Sequence, residues 1–192
     1  MKFEEIATIS VGQILTRVES ENSEIHYTVL HPRAIVNGFI NDSQLDEINV
    51  SKAIDDDKIT REGDVVIKLS TPYEAVVIDK EHENLLIPSF CAVFRCKTDI
   101  DPYFICALIN SSYIREKIKS KIAGTVRPMV RISDLRLIDF PEINKHKMKN
   151  YGEEYKLSLK KRELLSKMTL NEIEIMNNKL AKLILEEAEY DK

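Results

Sequence analysis

The chain has 192 residues, of which 43% are hydrophobic and 31% charged, with 5 Gly and 6 Pro. That length fits one domain, or one domain with an appendage, and the apolar content suffices for a buried core, which excludes wholesale disorder. The formal net charge of −4 conceals a gradient: residues 1–110 hold 10 basic and 19 acidic side chains, residues 111–150 hold 10 and 4, and residues 151–192 hold 8 and 9.

Local potential, not the total, steers a phosphate backbone, so a basic stretch on an acidic chain is compatible with DNA binding. No run of eighteen apolar residues occurs, and no membrane span is expected. The start, MKFEEIATIS, lacks the basic and apolar blocks of a signal peptide. Cys91, Cys96 and Cys106 lie in apolar surroundings and read as buried thiols of a cytoplasmic protein. Cys91 and Cys96 have no second ligand pair, so no zinc site is expected, and no cofactor motif is present.

In chain order, Phe3–Ala7 opens a short helix or turn, and Gly12 breaks the apolar run Ile9–Ile14. Ile25–Leu30 reads as a strand that His31-Pro32 ends, because the residue before proline is pushed from the helical region. Ala34–Val36 and Asn37–Ile40 suggest a strand and a turn. Asn41–Asp57 reads as surface loop with a short strand near Ile48–Val50. Asp55-Asp56-Asp57 cannot converge on one ion, since consecutive side chains splay around the backbone.

Val65–Ser70, Ala75–Ile78 and Phe90–Cys96 are near-continuous apolar runs about ten residues apart. They predict buried strands of a curved, antiparallel or mixed sheet. Lys68-Leu69-Ser70-Thr71-Pro72-Tyr73 then forms a loop tip with one cation, two hydroxyls and a phenol.

Asp101-Pro102 is a helix start, with the aspartate as N-cap. Tyr113–Ala123 follows as a second helix, with Ile114, Ile118 and Ile122 on one face and Arg115, Lys117, Lys119 and Lys121 around the rest. Gly124 ends it. Thr125-Val126-Arg127-Pro128 leads into a short apolar strand that stops at Phe140-Pro141. Seven Lys and Arg between Arg115 and Arg136, against Glu116 and Asp134, make this stretch a candidate polyanion surface.

From Tyr151 the pattern is helical for some thirty-five residues or more. Leu165, Met168, Ile173, Met176, Leu180 and Leu183 recur every three to five positions and form an apolar seam that needs a partner helix.

No GxGxxG, P-loop or GxSxG motif is present, and His26, His31, His82 and His146 have no partner spacing. A nuclease built on Asp64, Asp79 and a lysine is the weakest of the readings considered.

The order of segments resembles one half of the specificity subunit of type I restriction-modification systems. The residues that carry the resemblance begin with Gly63–Ile67, the Ser70-Thr71-Pro72 loop and Leu86–Val93. They continue with Asp101–Phe104, Leu108–Ser111, Gly124–Pro128, Leu135 and the Pro141 exit into a long helix. The chain departs from that pattern where Pro141-Glu142 replaces a proline-rich linker.

The resemblance implies an α+β fold with a β-rich target recognition domain over residues 1–143 and a coiled-coil helix over 144–192. It implies a non-catalytic role, with double-stranded DNA, a methyltransferase (M) subunit and a restriction (R) subunit as partners. A single unit would form a homodimer through the helix residues named above. The DNA-contacting candidates are Lys68, Ser70, Thr71, Tyr73, Lys119, Lys121, Thr125, Arg127 and Arg131, with Arg127 the first choice for base readout because arginine suits a bidentate contact with guanine. A protein-interaction adaptor acting through the helix is the rival reading.

Overall fold

The structure is a computed structural model that describes residues 1–21, 23–122, 124 and 128–190. It forms two compact units, Met1–Glu153 and Glu154–Lys192. The fold is α+β, as the sequence pattern predicts.

The first unit is built on a four-stranded antiparallel sheet of β1 (Ala7–Val11), β6 (Val65–Lys68), β7 (Ala75–Val77) and β8 (Cys91–Cys96), ordered β1-β8-β6-β7. Among the described residues two small two-stranded antiparallel sheets complete the strands: β2 (His26–Val29) pairs with β5 (Asp46–Asn49), and between them in sequence β3 (Ile35–Val36) forms a hairpin with β4 (Phe39–Ile40). Alternate residues of the large sheet reach opposite faces. Val66, Val76 and Val93 pack with Leu30, Ile35 and Ile87 on one side. On the other, Phe94 meets Phe3 edge-on at 5.3 Å, and Phe140 lies 5.2 Å from Phe3. Both faces are covered, which is why the strands read as unbroken apolar runs. A second cluster, Val18, Val29, Val50, Ile54 and Leu86, packs with Tyr27 and Ile48 of the β2–β5 pair.

Among the described residues, four α-helices lie wholly within this unit: α1 (Phe3–Ile6), α2 (Pro102–Asn110), α3 (Ser112–Ile122) and α4 (Ile132–Arg136). The Asp101 carboxylate caps α2 by accepting from Phe104 N at 3.0 Å. In α3, Ile114 and Ile118 are fully buried, which fixes the helix roll and turns the lysines outward. Gly124, just beyond, has φ +80°, the left-handed geometry of a helix terminator.

Two expectations change. The strand anticipated between Pro128 and Pro141 is interrupted by α4, because Leu135 turns inward to full burial and the Arg131 carbonyl accepts from Asp134 N and Leu135 N. Only its ends pair, Met129 with Ser70 and Asp139 with Lys2. The last helix, α5 (Lys145–Tyr190), starts six residues before Tyr151. There the Asn144 side chain accepts from His146 N at 2.8 Å, a capping signal the apolar pattern does not register. Gly152 lies inside α5, and a β-carbon at that position would overlap the Asp101 carboxylate that caps α2.

The second unit is helix throughout its described length. Leu165, Met168, Ile173, Met176, Leu180 and Leu183 are 50–64% exposed. No helix among the described residues is long and apolar enough to cross a membrane.

His82 ties two surface turns together. Its Nδ1 lies 2.6 Å from Asp79 and its Nε2 2.9 Å from Asp42. Burial alone would lower the imidazole pKa, but the hydrogen bonds and charges of the two carboxylates outweigh it and hold the pKa above its ordinary value. The folded-state pKa exceeds the unfolded one, so the clamp's contribution is complete below about pH 6.5 and is lost as pH rises through the folded value. Both carboxylates are largely exposed, so the effect is about 1 kcal/mol or less. The margin by which the parent's urea midpoint exceeds that of His82→Ala should shrink between about pH 6 and pH 8.

Candidate nucleic-acid interface

The β6–β7 loop is held from beneath. Lys68 and Glu74 flank it, joined by a 3.0 Å ion pair whose side chains are 9% and 14% exposed. Lys68 N also donates to Glu74 O at 2.9 Å. Between them, Tyr73 N donates to Ser70 O at 2.9 Å and closes a turn in which the Thr71-Pro72 peptide is cis and Tyr73 has φ +56°. Tyr73 is 2% exposed, and its hydroxyl donates to Pro128 O at 3.1 Å.

This last bond joins the loop to the segment before α4. Val130 N donates to Leu69 O at 2.9 Å, and Met129 bridges Ser70. Leu69 N donates to Phe90 O at 2.9 Å, which adds the turn that opens β8. The open edge of β7 is closed by a side chain: Asn110 accepts from Ala75 N at 3.0 Å and donates to Ala75 O at 2.9 Å, copying a neighbouring strand. Arg115 Nη2 donates to the same Asn110 oxygen at 3.1 Å.

These bonds sort the residues nominated from sequence. Ser70 is half-buried and Thr71 exposed, on the tip of the loop. Lys68 and Tyr73 differ from the others: both are buried with their polar ends engaged inside the protein, where they support the loop from within. Lys119 is exposed and paired with Glu116 at 2.8 Å, a surface pair of small energetic weight. Lys121 and Arg131 are exposed, and among the described residues neither has an ion-pair partner. Thr125 and Arg127 lie outside the described residues. Sequence alone does not reveal Asn110 and Arg115 as parts of the site, since Asn110 meets Ala75 from 35 residues away and Arg115 joins through Asn110.

The Cys91 and Cys96 thiols and the Asp64 and Asp79 carboxylates are engaged within the fold. Burial pushes the Cys91 and Cys96 thiols up to about 12, far from the thiolate form. Asp64 is 4% exposed and bonds Arg95 at 3.3 Å, while Asp79 caps a turn and holds His82. Among the described residues no three His, Cys, Asp or Glu side chains form a group that could hold a metal.

Comparison with known proteins places this architecture. No family model matches the sequence, and no curated protein matches it. Solved structures do match. The HsdS subunit from Thermoanaerobacter tengcongensis superposes with a TM-score of 0.65 at 16% identity, over 88% of this chain and 43% of that one. The fold is HsdS-like. A chain from the structure describing complex assembly and conformational transition of the type I R-M system gives 0.64 at 19% identity, over 85% of this chain and 43% of that one. The type-I restriction-modification S subunit from M. genitalium gives 0.50 at 14% identity, over 80% and 37%. The chain thus spans about two-fifths of each HsdS-like structure, as the resemblance to one half of such a subunit implies.

Glu74→Gln should leave Lys68 charged and unpaired in the interior, at a cost of about 3 kcal/mol or more in urea unfolding. Replacing both partners by apolar residues of similar volume should recover most of that loss.

Proposed function

We propose that this chain is a non-catalytic DNA sequence-recognition subunit of a type I restriction-modification complex, directing methyltransferase and restriction subunits to a target site. The HsdS-like fold over 85–88% of the chain carries this reading. The charge gradient supports it, because the basic residues 111–150 include the segment stitched to the β6–β7 loop. Methyl transfer and cleavage belong to the partner subunits.

Lys119, Lys121 and Arg131 supply phosphate contacts, and Arg127 reads a base edge. Ser70, Thr71 and Thr125 add hydroxyl contacts. The acidic remainder of the chain limits non-specific binding.

The second unit serves assembly. Ile173, Met176, Leu180 and Leu183 follow a three-four-three spacing, the pattern of a coiled-coil seam, and all are at least half exposed. Two copies joined through this seam form a homodimer whose two-fold symmetry matches a bipartite, palindromic DNA site.

DNA binding should weaken steeply with salt, with the slope of log affinity against log salt reduced by about one for each lost phosphate contact. Lys121→Ala and Arg131→Ala should each show that reduction across all sequences. Arg127→Ala should cost about 1–3 kcal/mol at one position of the site and relax its base preference. Binding that is insensitive to salt, or variants that bind and select as the parent does, would contradict the assignment. Leu180→Lys should shift the protein from dimer to monomer in sedimentation, and reduce the selected site to one half.

A further inference from the structure

We propose that Phe90 is a DNA-contacting residue that places an apolar ring against the bases beside the β6–β7 loop. This inference rests on the DNA-recognition reading and adds to it a residue that carries no charge.

Phe90 stands apart from the other phenylalanines. Phe3, Phe94, Phe104 and Phe140 are buried and Phe39 is half-buried, whereas Phe90 is 57% exposed at the turn that opens β8. The core therefore makes little use of it. A single exposed apolar residue is ordinary on a protein surface. Two further observations separate this one from that background.

The first is how firmly the turn is held. Cys91 N donates to Pro88 O at 2.9 Å, Ser89 N to Gln13 O at 2.7 Å, and Leu69 N to Phe90 O at 2.9 Å. Gly12 lies against the same turn, and a β-carbon there would overlap the carbonyl oxygens of Ile87 and Pro88. Backbone from three parts of the chain thus fixes the main-chain position that carries a solvent-exposed aromatic. A turn whose backbone is held in advance loses little backbone freedom on binding.

The second is where the turn sits. The register pairs Lys68 with Cys91, so Phe90 is the next position out beside Leu69, and Ser89 lies beyond it towards Ser70. Leu69 also accepts from Val130 N, so the turn shares an edge with the loop tip and the segment leading to Arg131. Hydroxyls and a cation near an exposed aromatic suit a duplex. The polar groups meet the backbone, and the ring meets a thymine methyl or wedges at a base step.

The experiment compares the full-length protein with Phe90→Ala and Phe90→Leu. The probe is a pool of duplexes with a randomised centre, from which the parent protein selects its sites. Urea unfolding of each variant checks that the fold is retained. Phe90→Ala should weaken binding to the selected sites by about tenfold. Its salt slope should stay that of the parent, because no phosphate contact is lost. Phe90→Leu, still apolar, should keep most of the affinity. Unchanged affinity and preference in Phe90→Ala, with the parent binding in a salt-dependent way, would overturn this inference and leave the DNA reading standing. Loss of methyltransferase capture with DNA selection intact would also overturn it, and would assign Phe90 to a protein contact. Absence of salt-dependent DNA binding by the parent would overturn both.

Discussion

Leu69 uses both of its backbone groups to join three distant parts of the chain. Its N–H donates to Phe90 O and its carbonyl accepts from Val130 N, both at 2.9 Å. One residue past the end of β6, the ladder thus continues as single bonds to the turn that opens β8 and to the segment before α4. Without this junction the β6–β7 loop would be a free hairpin tip, and Pro128–Arg131 a tether between helices. With it, they become one edge. The buried Lys68–Glu74 pair and the Tyr73 hydroxyl on Pro128 brace that edge from inside. Asn110 seals the adjacent strand, and Arg115 holds Asn110.

The division of labour that results is physical before it is functional. Desolvating a lysine and a carboxylate is costly unless they meet, so the loop is stable only in the conformation that joins them. The exposed groups Thr71, Lys121 and Arg131 are then free of structural duty among the described residues and can be replaced without altering the support beneath. The residues that hold the edge together and the side chains it exposes are thus separate sets. The long helix shows a separation too: its apolar seam depends on spacing along one element, not on the packing of the β-rich unit.

Much of this was legible in the sequence, and the rest was hidden for definable reasons. The strands of the large sheet announced themselves as apolar runs, and α2 and α3 through Asp101-Pro102 and the isoleucines four residues apart. The basic stretch was visible as charge. Which polar groups face water was not visible, because burial depends on what folds over a residue. Lys68 looked like a loop cation until Glu74, six residues on, closed over it. Tyr73 looked like a free phenol until Pro128 reached it from 55 residues away. The same blindness hid α4, whose single turn is fixed by one inward leucine, and passed over Phe90, which the apolar pattern assigned to a strand.

The central claim is that the loop tip, the turn opening β8 and the segment leading into α4 meet DNA as one surface. Hydrogen–deuterium exchange of the full-length protein, with and without duplexes it has selected, tests this most directly. The account predicts slowed exchange on DNA binding at Ser70–Tyr73, Ser89–Phe90 and Met129–Ser133 together, with the β2–β5 strand pair unchanged. Protection confined to that strand pair or to the long helix, with these three segments unaffected, would contradict it.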